Sequence, residues 1–341
     1  MKRLRVLVML HAERMPPDSI AGHDESEFRD WKLEYDVVAA LEKLDHEFRI
    51  VPVEDDLKPI RDAIAEFHPQ ICFNLLMQFH DSGTYESAIV SWLELRKQPY
   101  TGCNPRGLLV ASDKALSKKV LTYHRVRVPG FFTIGIGRGI QALPKGLAFP
   151  LFVKSASEHA SQGIAHASIV RDEEQLRERV EFVHRNVGTG ALCERYVEGR
   201  ELTIGVLGNT RLETGPVWEV FMEKLPESAP NILTSHMKWN RAYQKRIGLR
   251  TGPADLPARK LAEIDRLARR IYRVLGLSGF ARIDMRMDEE GNVWVLEANP
   301  NPDLCHGEDF AEGFEKRGYE YEELVQKILN LGLRYDAPWR G

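Results

Sequence analysis

Residues 280–302 of this chain read FARIDMRMDEEGNVWVLEANPNP, two apolar stretches separated by a polar turn. Successive side chains of a β-strand point to opposite faces, so Arg282 and Asp284 share a face of the first stretch. Glu297 and Asn299 repeat this spacing in the second stretch. The intervening DEEGN has the chemistry of a hairpin loop. The pattern therefore predicts a β-hairpin that gathers four polar side chains around one point.

These side chains suit a metal ion. Asp284 and Glu297 are carboxylates and Asn299 carries an amide oxygen, and such hard ligands can hold Mg²⁺ together with the phosphates of a nucleotide. An edge hairpin with a solvated polar face would produce the same spacing. We favour the metal site, because the carboxylates lie within apolar strands and the run Asn-Pro-Asn-Pro ends the second strand.

The composition limits the class of protein. The 341 residues allow two or three domains, and 43% hydrophobic with 28% charged residues argues against disorder. A net charge of −3 provides no basic field for nucleic acid. Cys72, Cys103, Cys193 and Cys305 form neither a CxxC pair nor a zinc spacing, so we expect buried thiols in a reducing compartment.

The N-terminal residues predict a strand and not a signal peptide. The apolar run from Arg5 ends at His11, too early for a secretory signal. No apolar stretch is long enough to cross a membrane. We therefore predict a cytoplasmic protein without a membrane partner.

The first third of the chain alternates strand and helix patterns, which predicts a parallel sheet covered by helices. These predicted elements are 5–10, 31–44, 48–53, 57–67, 71–76 and 85–95. Gly, Asn and Pro at 101–107 are interpreted as its end, and a helix follows from Asp113. The rest of the chain predicts α+β units. Their elements are strands 131–134, 149–154, 191–197 and 201–207, helix 173–185, an irregular stretch 223–253, helix 258–275, the hairpin, and helix 320–331. The predicted domains are 1–112, 113–195 and 196–341.

A second motif, FPLFVKSASEHASQGI, places Lys154 at the end of an apolar strand and before a small, polar loop. Such a loop can turn backbone N–H groups toward phosphate, with the lysine as counter-charge. A surface loop with a lysine that extends to water is the alternative, and no Walker pattern is present.

A third motif, ALCERYVEGREL, places Glu194 and Glu201 on either side of a Glu-Gly turn. Such a hinge can read an adenine edge through backbone groups and bind a ribose through a carboxylate. A plain hairpin with solvated acids is the alternative, and this motif by itself favours the hairpin.

Taken together and in this order, the motifs resemble the ATP-grasp superfamily, most closely the D-alanine–D-alanine ligases. The resemblance rests on DKxxSK at 113–118, FPLFVK at 149–154, ERYVxGRE at 194–201 and the hairpin. It covers nearly the whole chain and is weakest in the first hundred residues. It implies an ATP-grasp fold, with an N-terminal parallel α/β domain followed by two α+β domains that clamp ATP.

The resemblance also implies roles for individual residues. The expected ATP-binding residues are Lys114, Lys154, Glu194, Arg195, Val197 and Glu201. The expected ligands for two Mg²⁺ ions, which Mn²⁺ could replace, are Asp284, Glu297 and Asn299. The expected catalytic residues are Arg282 beside the transferred phosphoryl group, Lys238 in a mobile loop, and Ser161 in the phosphate loop.

The implied reaction is that of an ATP-dependent carboxylate–amine ligase. A substrate carboxylate attacks the γ-phosphorus to give an acyl phosphate and ADP, and an amine then displaces phosphate to form an amide or peptide bond. The irregular stretch that carries Lys238 is the candidate lid that shields the acyl phosphate from water. The expected partners are small carboxylates and amines, and a homodimer is possible because dimers are common in the family.

The acceptor end departs from the family pattern. D-alanine ligases place a Ser-Leu pair, which receives the carboxylate of the second substrate, where this chain has Glu308 and Asp309. These acids, with Asp303, would repel a carboxylate, so we expect an acceptor other than D-alanine. Solvated loop acids, with the carboxylate bound elsewhere, are an equal alternative. Ala160 also replaces a serine of the phosphate loop.

Several alternatives stay open from the sequence. The first-domain glutamate of the family cannot be placed among Glu25, Glu27 and Glu34. A genuine D-alanine–D-alanine ligase and an ATP-grasp kinase are both compatible with the motifs. A non-catalytic ATP-binding module is disfavoured, because it would be expected to lose metal ligands or Arg282.

Overall fold

The computed structural model describes residues 3–23, 28–80, 82–140, 142–157, 163–226, 229–234, 236–237 and 240–340, without the side chain of residue 29. The first sheet is parallel, with strand order β2-β1-β3. Six of the seven residues of β1 are buried, as expected for a parallel strand covered on both faces. The elements of this part are β1 (Arg5–His11), α1 (Phe28–Lys43), β2 (Glu47–Val53), α2 (Lys58–Phe67), β3 (Ile71–Asn74) and α3 (Glu86–Leu95). The predicted α/β organisation is confirmed.

Two consecutive helices follow, α4 (Pro105–Ser112) and α5 (Lys114–Tyr123). Residues 101–107 were interpreted only as the end of the first unit, but helix α4 begins among them. Pro105 is its first residue, and the Asn104 side chain caps it by accepting from Gly107 N–H. Proline is compatible with the first helical position, where its missing N–H costs nothing. The Asp113 side chain caps α5 in the same way.

The second sheet is antiparallel, with strand order β4-β7-β5-β6, and has its own hydrophobic core beneath α6. Its elements are β4 (Phe131–Ile134), β5 (Leu151–Ser155), β6 (Ile169–Val170), α6 (Glu173–Phe182) and β7 (Ala191–Arg195). The short strand β6 was not predicted. A turn of π-helix, Val183–Val187, continues α6.

The third sheet is antiparallel, with strand order β10-β9-β8-β11-β12. It shares hydrophobic clusters with the first sheet, so that Leu7 of β1 and Ile283 of β11 belong to one core. Its elements are β8 (Arg200–Leu207), β9 (Glu213–Met222), α7 (Arg241–Ile247), β10 (Leu249–Pro253), α8 (Ala258–Val274), β11 (Phe280–Met287), β12 (Val293–Pro300), α9 (Asp309–Glu315) and α10 (Tyr321–Leu333).

Strand β9 and helix α9 were not predicted, and the stretch 223–253 is less irregular than expected, since it includes α7 and β10. Strand β9 contains Gly215 and Pro216, which are rare inside strands, so its sequence pattern does not indicate a strand. They lie at a register shift opposite Gly205, where the ladder does not need the N–H that proline lacks.

The four cysteines are free and buried, as predicted. No helix in the described part of the chain combines the length and the apolar character of a membrane span.

Candidate active site

The predicted hairpin forms, and its register brings the four polar positions together. Arg282 lies opposite Asn299 and Asp284 lies opposite Glu297. β11 lies inside the sheet, between β8 and β12. The side chains of Arg282, Asp284 and Glu297 are only 23%, 15% and 21% exposed, so the polar face is not solvated, although β12 forms the edge of the sheet.

Asp284 is the centre of a hydrogen-bonded group. Arg282 donates from Nε to Oδ1 at 2.7 Å and from Nη2 to Oδ2 at 2.9 Å, a bidentate pair, and Asn299 Nδ2 donates to Oδ2 at 2.7 Å. Burial opposes the charge on Arg282, but Asp284 outweighs it and raises the pKa of Arg282 above its usual range. Arg282 is therefore a permanent cation that is held in place beside the Asp284 carboxylate.

Three lysines and two glutamates from α5, the second sheet and the third sheet lie close together. Lys114 Nζ and Lys154 Nζ lie 3.6 Å and 3.8 Å from Glu297 Oε2. Lys154 Nζ lies 3.0 Å from Glu194 Oε1, and Lys118 Nζ lies 2.8 Å from Glu194 Oε2. These pairs form one chain of alternating charges in the order Lys114, Glu297, Lys154, Glu194 and Lys118. Its two end residues both belong to α5.

Lys118 had no role in the sequence prediction. It lies one turn after Lys114 on the buried face of α5, so the spacing DKxxSK was an available signal. Burial lowers the pKa of Lys118. Burial also opposes the charges on Lys154 and Glu194, but their partners outweigh it, so the pKa of Lys154 is raised and that of Glu194 is lowered. The group retains a surplus of positive charge, which suits a phosphate chain.

Replacing Glu194 with glutamine is expected to destabilise the fold by about 3–5 kcal/mol, because Lys118 and Lys154 would lose the carboxylate that compensates them in a buried site. Urea unfolding followed by tryptophan fluorescence measures this change. The exposed Glu178 on α6 provides the control, Glu178→Gln, which should leave the midpoint unchanged. A loss below about 1 kcal/mol, the range of a surface ion pair, would contradict a buried charged triad.

The motif around Glu194 and Glu201 is not a plain hairpin, so that alternative was wrong. β7 belongs to the second sheet and β8 to the third, and residues 196–199 cross between the two sheets. Val197 is buried in this crossing, while the Arg195 guanidinium lies 4.5 Å from the centroid of the Trp294 ring. The predicted hinge therefore joins the second and third sheets.

Arg286 is a further residue that the sequence prediction missed. It is 4% exposed and donates to Val197 O at 2.9 Å, to Glu201 Oε2 at 3.2 Å and to the backbone carbonyl of Asn231. It follows Asp284 by two positions, so the period of the strand was an available signal. Arg286 thus ties the hinge, the predicted ribose carboxylate and the segment 229–234 together.

The predicted acceptor residues lie after β12. Asp303 and Glu308 are exposed, and Asp309 is half-buried. The loop is fastened to α1, since Lys32 Nζ donates to His306 O at 2.7 Å and His306 N donates to Asp36 Oδ2 at 2.8 Å. The charge of Asp309 also acts on Arg282, so the acidic loop adjoins the hairpin.

Two predicted catalytic residues, Ser161 and Lys238, lie outside the described residues, as do Ala160, Glu25 and Glu27. Within the described ranges, no group of three or more His, Cys, Asp and Glu side chains could hold a metal ion. A metal at the hairpin would therefore depend on Asp284, Glu297 and Asn299 together with oxygens of a substrate. This donor set fits Mg²⁺, which protein sites often bind through one or two carboxylates and substrate phosphates.

Comparison with known proteins places this geometry in a family. Residues 137–330 match the family described as "D-ala D-ala ligase C-terminus". The D-alanine–D-alanine ligase of Bordetella petrii is 30% identical over 255 residues, which cover 74% of this chain and 72% of that protein. An uncharacterised protein of Sinorhizobium fredii, y4sG, is 29% identical over 307 residues, which cover 87% and 86%. The crystal structure of the Bacillus anthracis D-alanine–D-alanine ligase complexed with ATP superposes with a TM-score of 0.72 at 20% identity and covers 97% of this chain and 98% of that one.

The fold is an ATP-grasp fold, as predicted, with a parallel sheet followed by two antiparallel sheets. The chain belongs to the D-alanine–D-alanine ligase family. It is an ATP-dependent ligase that forms C–N bonds. The kinase and the non-catalytic module find no support among these relatives.

Proposed function

We propose that this enzyme joins a carboxylate to an amine other than D-alanine through an acyl phosphate, with release of ADP and phosphate. The supporting observation is the contrast between the two ends of the hairpin face. At one end, lysines and carboxylates alternate within ion-pair distance, as expected for residues that would bind ATP. At the other end, the loop that would receive the acceptor carries Asp303, Glu308 and Asp309.

ATP would bind in the cleft between the second and third sheets. Lys114 and Lys154 would contact the phosphates, since both reach the cleft from buried positions. The backbone of Glu194, Arg195 and Val197 would read the adenine edge. Glu201 would accept from the ribose, in the orientation that Arg286 imposes on its carboxylate.

Asp284, Glu297 and Asn299 would hold one or two Mg²⁺ ions, which when bound neutralise phosphate charge and favour attack at the γ-phosphorus. Arg282 would stabilise the charge of the transferred phosphoryl group and then the oxyanion formed when the amine attacks. Its bidentate pair with Asp284 fixes the guanidinium before the substrates arrive. Ser161 and Lys238 keep their predicted roles, in the phosphate loop and in the lid.

The division into domains 1–112, 113–195 and 196–341 belongs to the same proposal. Each sheet falls within one of these ranges, and the second sheet has a core of its own. The hinge at 196–199 would let the second unit close over ATP. Closure is required because an acyl phosphate hydrolyses in water.

The charge of the acceptor loop argues against D-alanine as acceptor. Partial removal from water, followed by the like charges of Asp303 and Asp309, raises the pKa of Glu308 to about 7. A further carboxylate at this point would add a like charge to a group that already resists ionisation. An amine without that carboxylate avoids this repulsion.

An ADP-release assay with D-alanine as both donor and acceptor tests the choice of acceptor. We expect a rate near the background, and mass spectrometry should show no D-alanyl-D-alanine. Robust formation of that dipeptide would contradict the proposed acceptor, although not the ligase chemistry.

Hydroxylamine tests the chemistry separately, because it is a small neutral amine that converts an acyl phosphate to a hydroxamate. A panel of amino and other carboxylic acids is incubated with ATP, Mg²⁺ and hydroxylamine, and the products are identified by mass spectrometry. We expect a hydroxamate that depends on ATP and on one class of carboxylate. A stable phosphorylated product without hydroxamate would instead identify a kinase.

A further inference from the structure

Arg286 on β11 is a buried cation whose two terminal nitrogens are both engaged by the chain. The residue is 4% exposed. Nη1 donates to Val197 O at 2.9 Å and to the Tyr196 hydroxyl at 3.3 Å. Nη2 donates to Glu201 Oε2 at 3.2 Å and to the backbone carbonyl of Asn231. Each of these nitrogens has two acceptors, as a buried charge requires, so Arg286 is suited to orient these groups and not to bind a substrate directly.

Glu201 is the acceptor of Arg286 that a ligand can reach. It lies directly opposite Arg286 in the ladder between β8 and β11, and opposite Val220 of β9 on its other side, so its backbone is fixed within the sheet. Its side chain is 23% exposed. Arg286 engages Oε2, whereas Oε1 accepts no hydrogen bond from the described part of the chain. One oxygen of the carboxylate is therefore held, and the other is available to a donor on a ligand.

The neighbouring pair of Arg200 and Glu219 shows how this sheet builds an ion pair that is purely structural. Arg200 donates from Nε to Oε1 at 2.7 Å and from Nη2 to Oε2 at 2.5 Å, so both oxygens of Glu219 are occupied. Glu219 is 5% exposed. Arg200 precedes Glu201 by one residue, so its side chain lies on the opposite face of β8. The half-engaged and more exposed carboxylate of Glu201 is the arrangement expected of a binding group.

Arg286 also fixes the surroundings of Glu201. It holds the hinge 196–199 through Val197 O, and it holds the segment 229–234 through the carbonyl of Asn231. Asn231 Nδ2 in turn lies 3.4 Å from the Gly199 carbonyl that it donates to, which closes a ring of contacts. A glutamate on a sheet surface would otherwise sample several rotamers, and ordering it costs free energy when a ligand binds. The contacts of Arg286 provide this order before the ligand arrives.

We propose that Arg286 is a positioning residue that makes the nucleotide site selective for ribose over deoxyribose. It holds Oε2 of Glu201 so that Oε1 accepts from one ribose hydroxyl. The inference rests on the proposed ATP site and specifies its selectivity for the sugar. A nucleotide without that hydroxyl leaves Oε1 without a donor in a partly desolvated site, which costs affinity. Selectivity should therefore depend on Arg286 although Arg286 does not touch the nucleotide.

Nucleotide binding tests the proposal without knowledge of the other substrates. The probes are β,γ-methylene-ATP and its 2′-deoxy and 3′-deoxy forms, titrated by calorimetry into the full chain with Mg²⁺. The readout is the ratio of the Kd of each deoxy form to the Kd of the ribose form. We expect this ratio to be at least about ten for one of the two deoxy forms in the wild type, as for a hydrogen bond to a charged group. In Arg286→Met it should fall to about two or less.

The ratio separates positioning from a general structural effect. Loss of the contact between Arg286 and the hinge weakens all three nucleotides alike and cancels in the ratio, whereas a misplaced Glu201 weakens only the ribose form. Glu201→Ala should lower the ratio to the same extent, and the double variant with Arg286→Met should lower it no further, because the two residues act as one unit. Arg286→Lys keeps the charge without the forked geometry and should retain an intermediate ratio. The lysine variant also provides the test if Arg286→Met does not fold.

Arg200→Lys is the matched control, since it weakens the pair with Glu219 on the opposite face. It should lower Tm and leave the ratio unchanged. Three results would overturn the proposal: a wild type that binds the ribose and deoxy forms equally, an Arg286→Met or Arg286→Lys variant that keeps the full ratio, or an Arg200→Lys variant that loses it. A wild type that binds none of the three nucleotides would contradict the ATP site itself. The hydroxamate assay tests the ligase chemistry separately from the first three results.

Discussion

Replacing Glu297 with glutamine is expected to lower kcat about 10³-fold and to leave the fold intact. Glutamine keeps the shape of the side chain but removes the charge that would bind Mg²⁺ and that now faces Lys114 and Lys154. Loss of metal-assisted charge stabilisation costs several kcal/mol, and each 1.36 kcal/mol is a factor of ten in rate. Single-turnover ADP release at saturating ATP and Mg²⁺ measures the effect.

The same variant separates metal binding from nucleotide binding. Without Mg²⁺, ATP should bind Glu297→Gln at least as tightly as the wild type, because the phosphates no longer compete with Glu297 for the two lysines. Glu290→Gln, in the turn of the same hairpin, is the control and should retain full activity. A kcat within about tenfold of the wild type would refute the assignment of Glu297 as a metal ligand.

Replacing Arg282 with alanine is expected to lower kcat about 10²–10³-fold, the usual effect of removing one preorganised donor from a developing negative charge. KM for ATP should change much less, because Arg282 lies beside Asp284 on the hairpin and not among the lysines. Lysine at this position should restore part of the rate, since it keeps the charge but not the bidentate geometry.

The control for this prediction is Arg266→Ala, an exposed arginine on α8. The double variant Arg282→Ala with Asp284→Asn identifies the origin of the loss. If the two residues act as one unit, the double variant should lose much less than the product of the single effects. An alanine variant that keeps its kcat and loses only affinity for ATP would assign Arg282 to binding.

Local patterns predicted the elements whose chemistry is periodic. The hairpin could be predicted because its polar residues recur every second position on apolar strands, and the parallel strands because they are continuous apolar runs. Helix α4 was missed because Pro105 was taken as the end of the first unit, whereas it starts the helix. Strand β9, in which Pro216 lies at a bulge, was not predicted.

The polar partners of the site could be predicted only in part. Glu194 and Glu297 were selected, but the sequence does not indicate that Lys154 lies between them, since the three residues come from three strands of two sheets. Lys118 was included in the motif DKxxSK but received no role, since a lysine on a helix is usually solvated and the sequence does not show that this one is buried beside Glu194. Arg286 was not selected either, and its contacts with Val197 and Asn231 join residues that are far apart in the sequence.

The alternating charges that begin and end on α5 have a consequence for the enzyme before ATP arrives. Lys114 and Lys154 would repel each other in a buried cleft, but Glu297 stands between them as an internal substitute for phosphate. If the proposed ATP site is correct, an incoming nucleotide would enter by exchange. Its phosphates would replace Glu297 beside the lysines, and the displaced carboxylate would become available to a metal ion. The site would thus be largely charge-compensated before its substrate binds, and binding of nucleotide and of metal would be coupled.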